Sequence, residues 1–213
     1  MRFIFKSTFR FSILYIALYF LDAFFKNNEA LYSYRYISKI ILSSSLLLFY
    51  LYNTHQKDIN KKRLVIVALG LFVIGDFFFI TGNNGDKLHF VIAALLFISA
   101  KICYSLRFLN TEDFIINKLI PFFLFCFTYM TIVMFLVYNN LGRFFIPLLI
   151  YLFVSMLLMQ FAYLRKEEVS NISFWLVIIG VVSFMIADSI NVLKMFYNSL
   201  IAYNKITVMF FYC

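Results

Sequence analysis

From Phe11 to Leu193 the chain is a succession of apolar runs, each about 20 residues long, separated by short stretches that hold most of the charge. Coiled as a helix, a run of that length spans the hydrocarbon core of a bilayer, about 30 Å. Inside lipid only helices and closed barrels satisfy every backbone N–H and C=O, and runs this long and continuous select the helix. The expectation is therefore an all-α fold, a polytopic integral membrane bundle of about eight transmembrane helices. Composition agrees, with 64 % hydrophobic and 14 % charged residues against roughly half and a quarter in soluble domains. Residues 1–213 read as a single transmembrane domain with no room for a separate soluble one.

The spans fall at about 11–25, 34–52, 64–81, 88–109, 118–138, 143–164 and 172–193. An eighth begins near Leu200 and is expected to be short or truncated at Cys213. Arg2, Lys6 and Arg10 ahead of the first run imitate a secretory leader, but no small-x-small cleavage site follows and the run holds Asp22, so it reads as a retained span. Gly82 to Lys87, with Gly-Asn-Asn-Gly inside it, reads as a tight turn.

A net charge of +9 raises the question of nucleic acid, but the basic residues are scattered through the loops and form no phosphate-tracking patch. Loops on the N-terminal side collect more lysine and arginine than those opposite, which orients the N-terminus to the cytoplasm. The abundance of Phe, Tyr, Ile, Lys and Asn suits an AT-rich coding sequence, and the reading is a bacterial inner membrane. Cys103, Cys126 and Cys213 are isolated in apolar segments, and His55 and His89 have no second histidine at ligand spacing. No metal site and no organic cofactor are expected.

Function is to be sought where charge lies inside these runs. Asp76 sits within Ala68–Gly82 and Asp188 within the seventh run. A carboxylate at such depth costs roughly 3 kcal/mol on insertion scales, so it faces a partner, a cavity or a substrate. Phe72-Val73-Ile74-Gly75-Asp76 and Phe184-Met185-Ile186-Ala187-Asp188 share Phe, Ile, a small residue and Asp in register, which suggests two related four-helix halves. With the N-terminus inside, both aspartates lie roughly 8 Å below the outer boundary, counted at 1.5 Å per residue. Lys39, one turn into the second span, reaches about the same level and is placed to snorkel. Lys101 lies nearer the midplane, beyond the reach of snorkelling, with Tyr104 one turn later.

The order of these features resembles the YhhN family, whose eukaryotic relatives are lysoplasmalogenases. Lys39-Ile40 stands at the family's Lys-Pro, Gly75-Asp76 at its Gly-Asp, and Phe97-x-x-Ala100-Lys101-x-x-Tyr104 at its Phe-x-x-Ala-His-x-x-Tyr. Pro147 and Tyr151 fit the sixth helix, Gly180-x-x-x-Phe184-x-x-Ala187-Asp188-Ser189 fits Gly-x-x-x-Phe-x-x-Ser-Asp-Ser, and Phe211-Tyr212 resembles the start of a closing Tyr-Tyr-x-x-Gln. Three departures bear on activity: Lys101 in place of His, Ala187 in place of Ser, and no closing Gln. The first exchanges a group that titrates near neutrality for a cation.

The resemblance implies hydrolysis of the vinyl ether of lysoplasmalogens to a fatty aldehyde and a glycerophospho-base. That chemistry calls for one carboxyl that delivers a proton to carbon and one that stays ionised, the division of labour seen in glycoside hydrolysis. Asp76 and Asp188 are the candidates for catalysis, with the roles unassigned between them. Lys39 is the candidate to receive the substrate phosphate. A lysine would hold ionised whichever aspartate it touches, and Lys101, Tyr104, Tyr151 and Ser189 are candidates to bind substrate in the cavity. The expected partners are a lysophospholipid and the surrounding membrane lipids. A small proton-coupled transporter and a catalytically inactive lipid-binding relative are the alternatives, and the structural reading of each aspartate is an Asp–Lys pair that ties helices together.

Overall fold

The computed structural model describes residues 5–55, 58–83, 86–109, 116–167 and 169–197. Among them the chain is helical, with no strand, and carries seven long helices. These are α1 (Thr8–Asn27), α2 (Arg35–Asn53), α3 (Ile59–Asn83), α4 (Lys87–Phe108), α5 (Ile116–Leu141), α6 (Phe145–Leu164) and α7 (Asn171–Phe196). Among the described residues, five apolar stretches are long enough to cross a bilayer: Thr8–Asn27, Ile59–Gly82, Leu88–Phe108, Phe122–Leu164 and Asn171–Leu193. The fourth runs 43 residues and is folded into α5 and α6 by the short 3-10 turn Gly142–Phe144. Gly142 enters that turn at φ 49°, in the left-handed region that glycine adopts without a side-chain clash. The expected eighth helix, the Phe211-Tyr212 pair and Cys213 lie outside the described residues.

The chain divides into two compact units, Met1–Arg107 and Phe108–Cys213. The first contains α1 to α4, apart from the last residue of α4. Its centre is α2, and α2 explains why a hydropathy window passes it over. Arg35, Ser38, Lys39, Leu42 and Ser45 recur at helical spacing and are buried, while Ile37, Ile41 and Leu48 on the other side are exposed. In lipid this is the stable arrangement, because a polar stripe turned inward meets other polar groups and an apolar stripe turned outward meets acyl chains. α1 packs on α2 through the stacked rings of Phe11 and Phe49, centroids 4.0 Å apart.

α3 and α4 approach through glycines, as small residues allow. A Cβ at Gly82 would sit 2.8 Å from the Cα and N of Phe90, and one at Gly75 would sit 2.6 Å from the buried Phe97 ring. Backbone cannot rotate away as a side chain can. Gly82→Val is therefore expected to lower stability by about 1–3 kcal/mol, read as a fall in thermal midpoint in detergent. Gly70, with nothing within 4 Å of its virtual Cβ, is the control, and Gly70→Ala should leave the midpoint near the wild-type value. Equal effects at the two sites would refute the packing account.

Asp86 opens α4. Its carboxylate accepts the amides of Leu88 at 3.0 Å and His89 at 3.2 Å, and it also bonds the His89 ring nitrogen. The hydrogen bonds from His89, backbone first and ring second, hold this carboxyl below its ordinary range. A depressed carboxyl contributes stability that is present above its unfolded value, about 3.9, and is lost as pH falls through the lower folded value. The gap in melting midpoint between wild type and Asp86→Ala should accordingly be open at about pH 6 and close towards about pH 3. A gap of constant width would count against the cap.

The second unit is built on α6. Leu148, Leu152, Val154, Met156, Leu158 and Met159 are buried in one continuous series, because α6 packs against both α5 and α7. The flanking helices turn large apolar residues outward, with Phe135 at 81 % and Ile172 at 76 % exposed. Faces of that kind are what a hydrocarbon solvent stabilises.

Candidate functional site

In the first unit four charged side chains lie buried at the end of the bundle where α1 finishes, α2 starts and α3 finishes. Asp22 is five residues from the end of α1, Arg35 and Lys39 occupy the first turns of α2, and Asp76 is seven residues from the end of α3. All four are 8 % exposed or less. The Ser38 hydroxyl donates to Asp22 Oδ1 at 2.6 Å, and Arg35 Nε stands 3.9 Å from Asp22 Oδ2. The Ser43 hydroxyl donates to Asp76 Oδ2. Lys39 is the strongest charge acting on Asp76, ahead of Asp22 and Arg35. Two carboxylates thus share one polar stripe with two cations, and each carboxylate has its own serine donor.

Lys39 is 8 % exposed and lies on the inward face of α2. Lys101 is fully buried on α4, as its depth in the sequence requires. Tyr104, one turn further, is half-buried with its ring 6.1 Å from that of Phe72 on α3.

In the second unit Asp188, 4 % exposed on α7, accepts the Tyr151 hydroxyl at 2.6 Å from α6. Ser189 beside it hydrogen-bonds the Tyr129 hydroxyl from α5, and both reach the Met185 carbonyl, at 3.0 and 3.1 Å. Tyr129, Met130, Leu152, Ser155, Met156 and Met185 pack closely around Asp188. Methionines give such packing an adaptable shape.

Each unit therefore buries one aspartate that takes a hydroxyl from the preceding helix, Ser43 for Asp76 and Tyr151 for Asp188. Of the residues singled out in the sequence, Lys39 joins Asp76 in the first unit, and Tyr151 and Ser189 gather around Asp188 in the second. Lys101 and Tyr104 belong to the first unit, on α4. Asp22, Arg35, Ser38, Ser43 and Tyr129 complete these clusters and were not singled out. Asp22 and Arg35 carried a signal, since both are charges inside helical runs, Asp22 near the end of α1 and Arg35 one turn before Lys39 on α2. Among the described residues, no three His, Cys, Asp or Glu side chains are grouped so as to hold a metal ion.

The model of the YhhN family matches residues 34–213 of the chain, from the start of α2 through both aspartates. None of the curated proteins and none of the solved structures matches it. The match takes in α2 with its inward polar stripe, Gly75-Asp76 and Asp188-Ser189, and this membrane-embedded helical protein belongs to the YhhN family.

Proposed function

We propose that this chain is a membrane-embedded hydrolase that cleaves the vinyl ether of lysoplasmalogen-type lysophospholipids. The observation that carries the reading is the pair of aspartates, each more than nine-tenths buried and each held by a hydroxyl from a neighbouring helix. A buried carboxylate is costly in a membrane unless it is paired or used, and the reaction that the YhhN resemblance implies is the use we assign.

The reaction begins with a proton delivered to the β-carbon of the enol ether, which leaves an oxocarbenium ion at the carbon bonded to oxygen. Water adds there and loses a proton, and the resulting hemiacetal collapses to a fatty aldehyde and the glycerophospho-base alcohol. The reaction calls for a carboxyl that supplies the first proton and an ionised carboxylate that stabilises the cation and takes the proton from water, and Asp76 and Asp188 are the residues we propose for these roles. Tyr151 and Ser43 orient the two carboxyls through the hydrogen bonds described above. Lys39, Lys101, Tyr104 and Ser189 are the residues we assign to substrate. The membrane we assign is the bacterial inner membrane, with the N-terminus in the cytoplasm.

A second reading, a catalytically inactive relative that binds lysolipid, is favoured by one observation. Lys101, where the resemblance leads to histidine, is fully buried, so an amine stands in place of the imidazole that the family pattern has there. Aldehyde release from lysoplasmenyl-ethanolamine by purified protein decides between the two. Release supports the hydrolase. Binding of the same lipid without release overturns it in favour of the binder.

A further inference from the structure

Arg35 is 7 % exposed, yet its Nε has no hydrogen-bond acceptor. Nη1 donates to the Tyr32 hydroxyl at 3.2 Å. The nearest carboxylate, Asp22, stands 3.9 Å from Nε, beyond hydrogen-bond reach, and its Oδ1 accepts the Ser38 hydroxyl instead. A buried guanidinium N–H without an acceptor is among the costlier omissions in a folded protein, and it calls for an explanation. Four residues on, one turn further along the same buried face of α2, stands Lys39.

We infer that Arg35 and Lys39 form a receiving site for a phosphate-class oxyanion, which supplies the acceptor that Arg35 Nε lacks. Guanidinium is suited to this, since its planar fork matches two phosphate oxygens, while the lysine adds a point charge beside it. Neither neighbouring carboxylate depends on that N–H for a hydrogen bond, because Ser38 serves Asp22 and Ser43 serves Asp76. An arriving oxyanion therefore completes a set of donors without breaking those two bonds. Arg35 opens α2, and Lys39 lies about 6 Å further along the same helix, so one oxyanion can meet both side chains. The identity of the ligand as a lysophospholipid rests on the proposed function, while the phosphate chemistry is common to a lipid headgroup and to free phosphate.

Binding to the full chain in a phosphate-free maltoside detergent tests this, with ester-linked lysophosphatidylcholine compared against the monoacylglycerol of the same chain length. Neither probe has a vinyl ether, so neither requires turnover. Wild type should bind the phosphate-bearing lipid roughly 10- to 100-fold more tightly than the monoacylglycerol. Arg35→Gln should abolish most of that preference, read as the ratio of the two affinities in the same folded protein. Arg35→Lys, which keeps the charge and loses the fork, should fall between. Displacement by inorganic phosphate would make the site one for the free anion, and resistance to it would make the headgroup the source.

Equal affinity of wild type for the two lipids would overturn the inference, and that comparison needs no variant to fold. So would wild-type affinity for lysophosphatidylcholine in a folded Arg35→Gln or Arg35→Lys protein. Aldehyde release without this preference would sink the phosphate site alone. The preference without aldehyde release would sink the hydrolase alone.

Discussion

Aldehyde release from lysoplasmenyl-ethanolamine is expected to fall by about 100- to 10,000-fold in Asp76→Asn and, separately, in Asp188→Asn, the range over which a positioned acid or base contributes. Asparagine has nearly the shape of aspartate, and its amide oxygen still accepts the Ser43 or Tyr151 hydroxyl. What it lacks is the proton to give and the charge to hold. Catalytic and structural roles then separate by a second readout. A carboxylate that serves only to tie helices together loses activity in step with thermal stability, whereas one that handles the proton loses activity with its melting midpoint little changed. Asp76 is the more demanding case, since Lys39 acts on its charge and its removal leaves that lysine buried with one less counter-ion. Full activity in either variant would eliminate that residue from the mechanism and with it the two-carboxylate scheme.

How much of this was legible in the sequence depends on what kind of information each feature carries. Apolar runs set the helices, because the length of a span follows from the thickness of the bilayer. Their ends were harder. α3 begins at Ile59, well inside the charged loop expected to last through Arg63, because Asp58 caps it by accepting the amides of Asn60 and Lys61. Backbone hydrogen bonding does not stop where hydropathy does. Likewise Gly82 and Asn83, expected to open a turn, are still helical.

Asp76 and Asp188 stood out as isolated charges in apolar surroundings, which is a local property. Their partners did not. Ser43 is one of three consecutive serines, and only the inward face of α2 selects it for Asp76. Tyr129 is one of 15 tyrosines and acquires meaning only from the packing of α5 on α7. In the sequence Arg35 reads only as a charge at the start of the second span, and Asp22 only as an argument against a cleaved leader. Both lie in the turns that flank the connection between adjoining antiparallel helices, so a long arginine on one could have been matched with an aspartate on the other.

That pair gives the largest effect on stability expected in the first unit. Both side chains are nearly inaccessible, at 8 % and 9 % exposure, and Asp22 also accepts the Ser38 hydroxyl. Asp22→Leu leaves a guanidinium buried with its nearest counter-ion gone, a kind of change that costs about 3–5 kcal/mol. Asp22→Asn keeps an acceptor for Ser38 and should cost less, so the difference between the two variants measures how much of the loss is hydrogen bonding. The decisive comparison is Asp22→Leu combined with Arg35→Met. Removing both charges also removes the desolvation penalty they imposed, and such replacements are often neutral. The double variant is therefore expected to melt near the wild-type midpoint, above Asp22→Leu alone. Additive losses would mean that the two residues act independently and that the 3.9 Å separation carries no coupling. Coupled losses together with a loss of lysolipid preference in the double variant would tie the two functions of Arg35 to one place: it holds α1 against α2, and it keeps one N–H in reserve for phosphate.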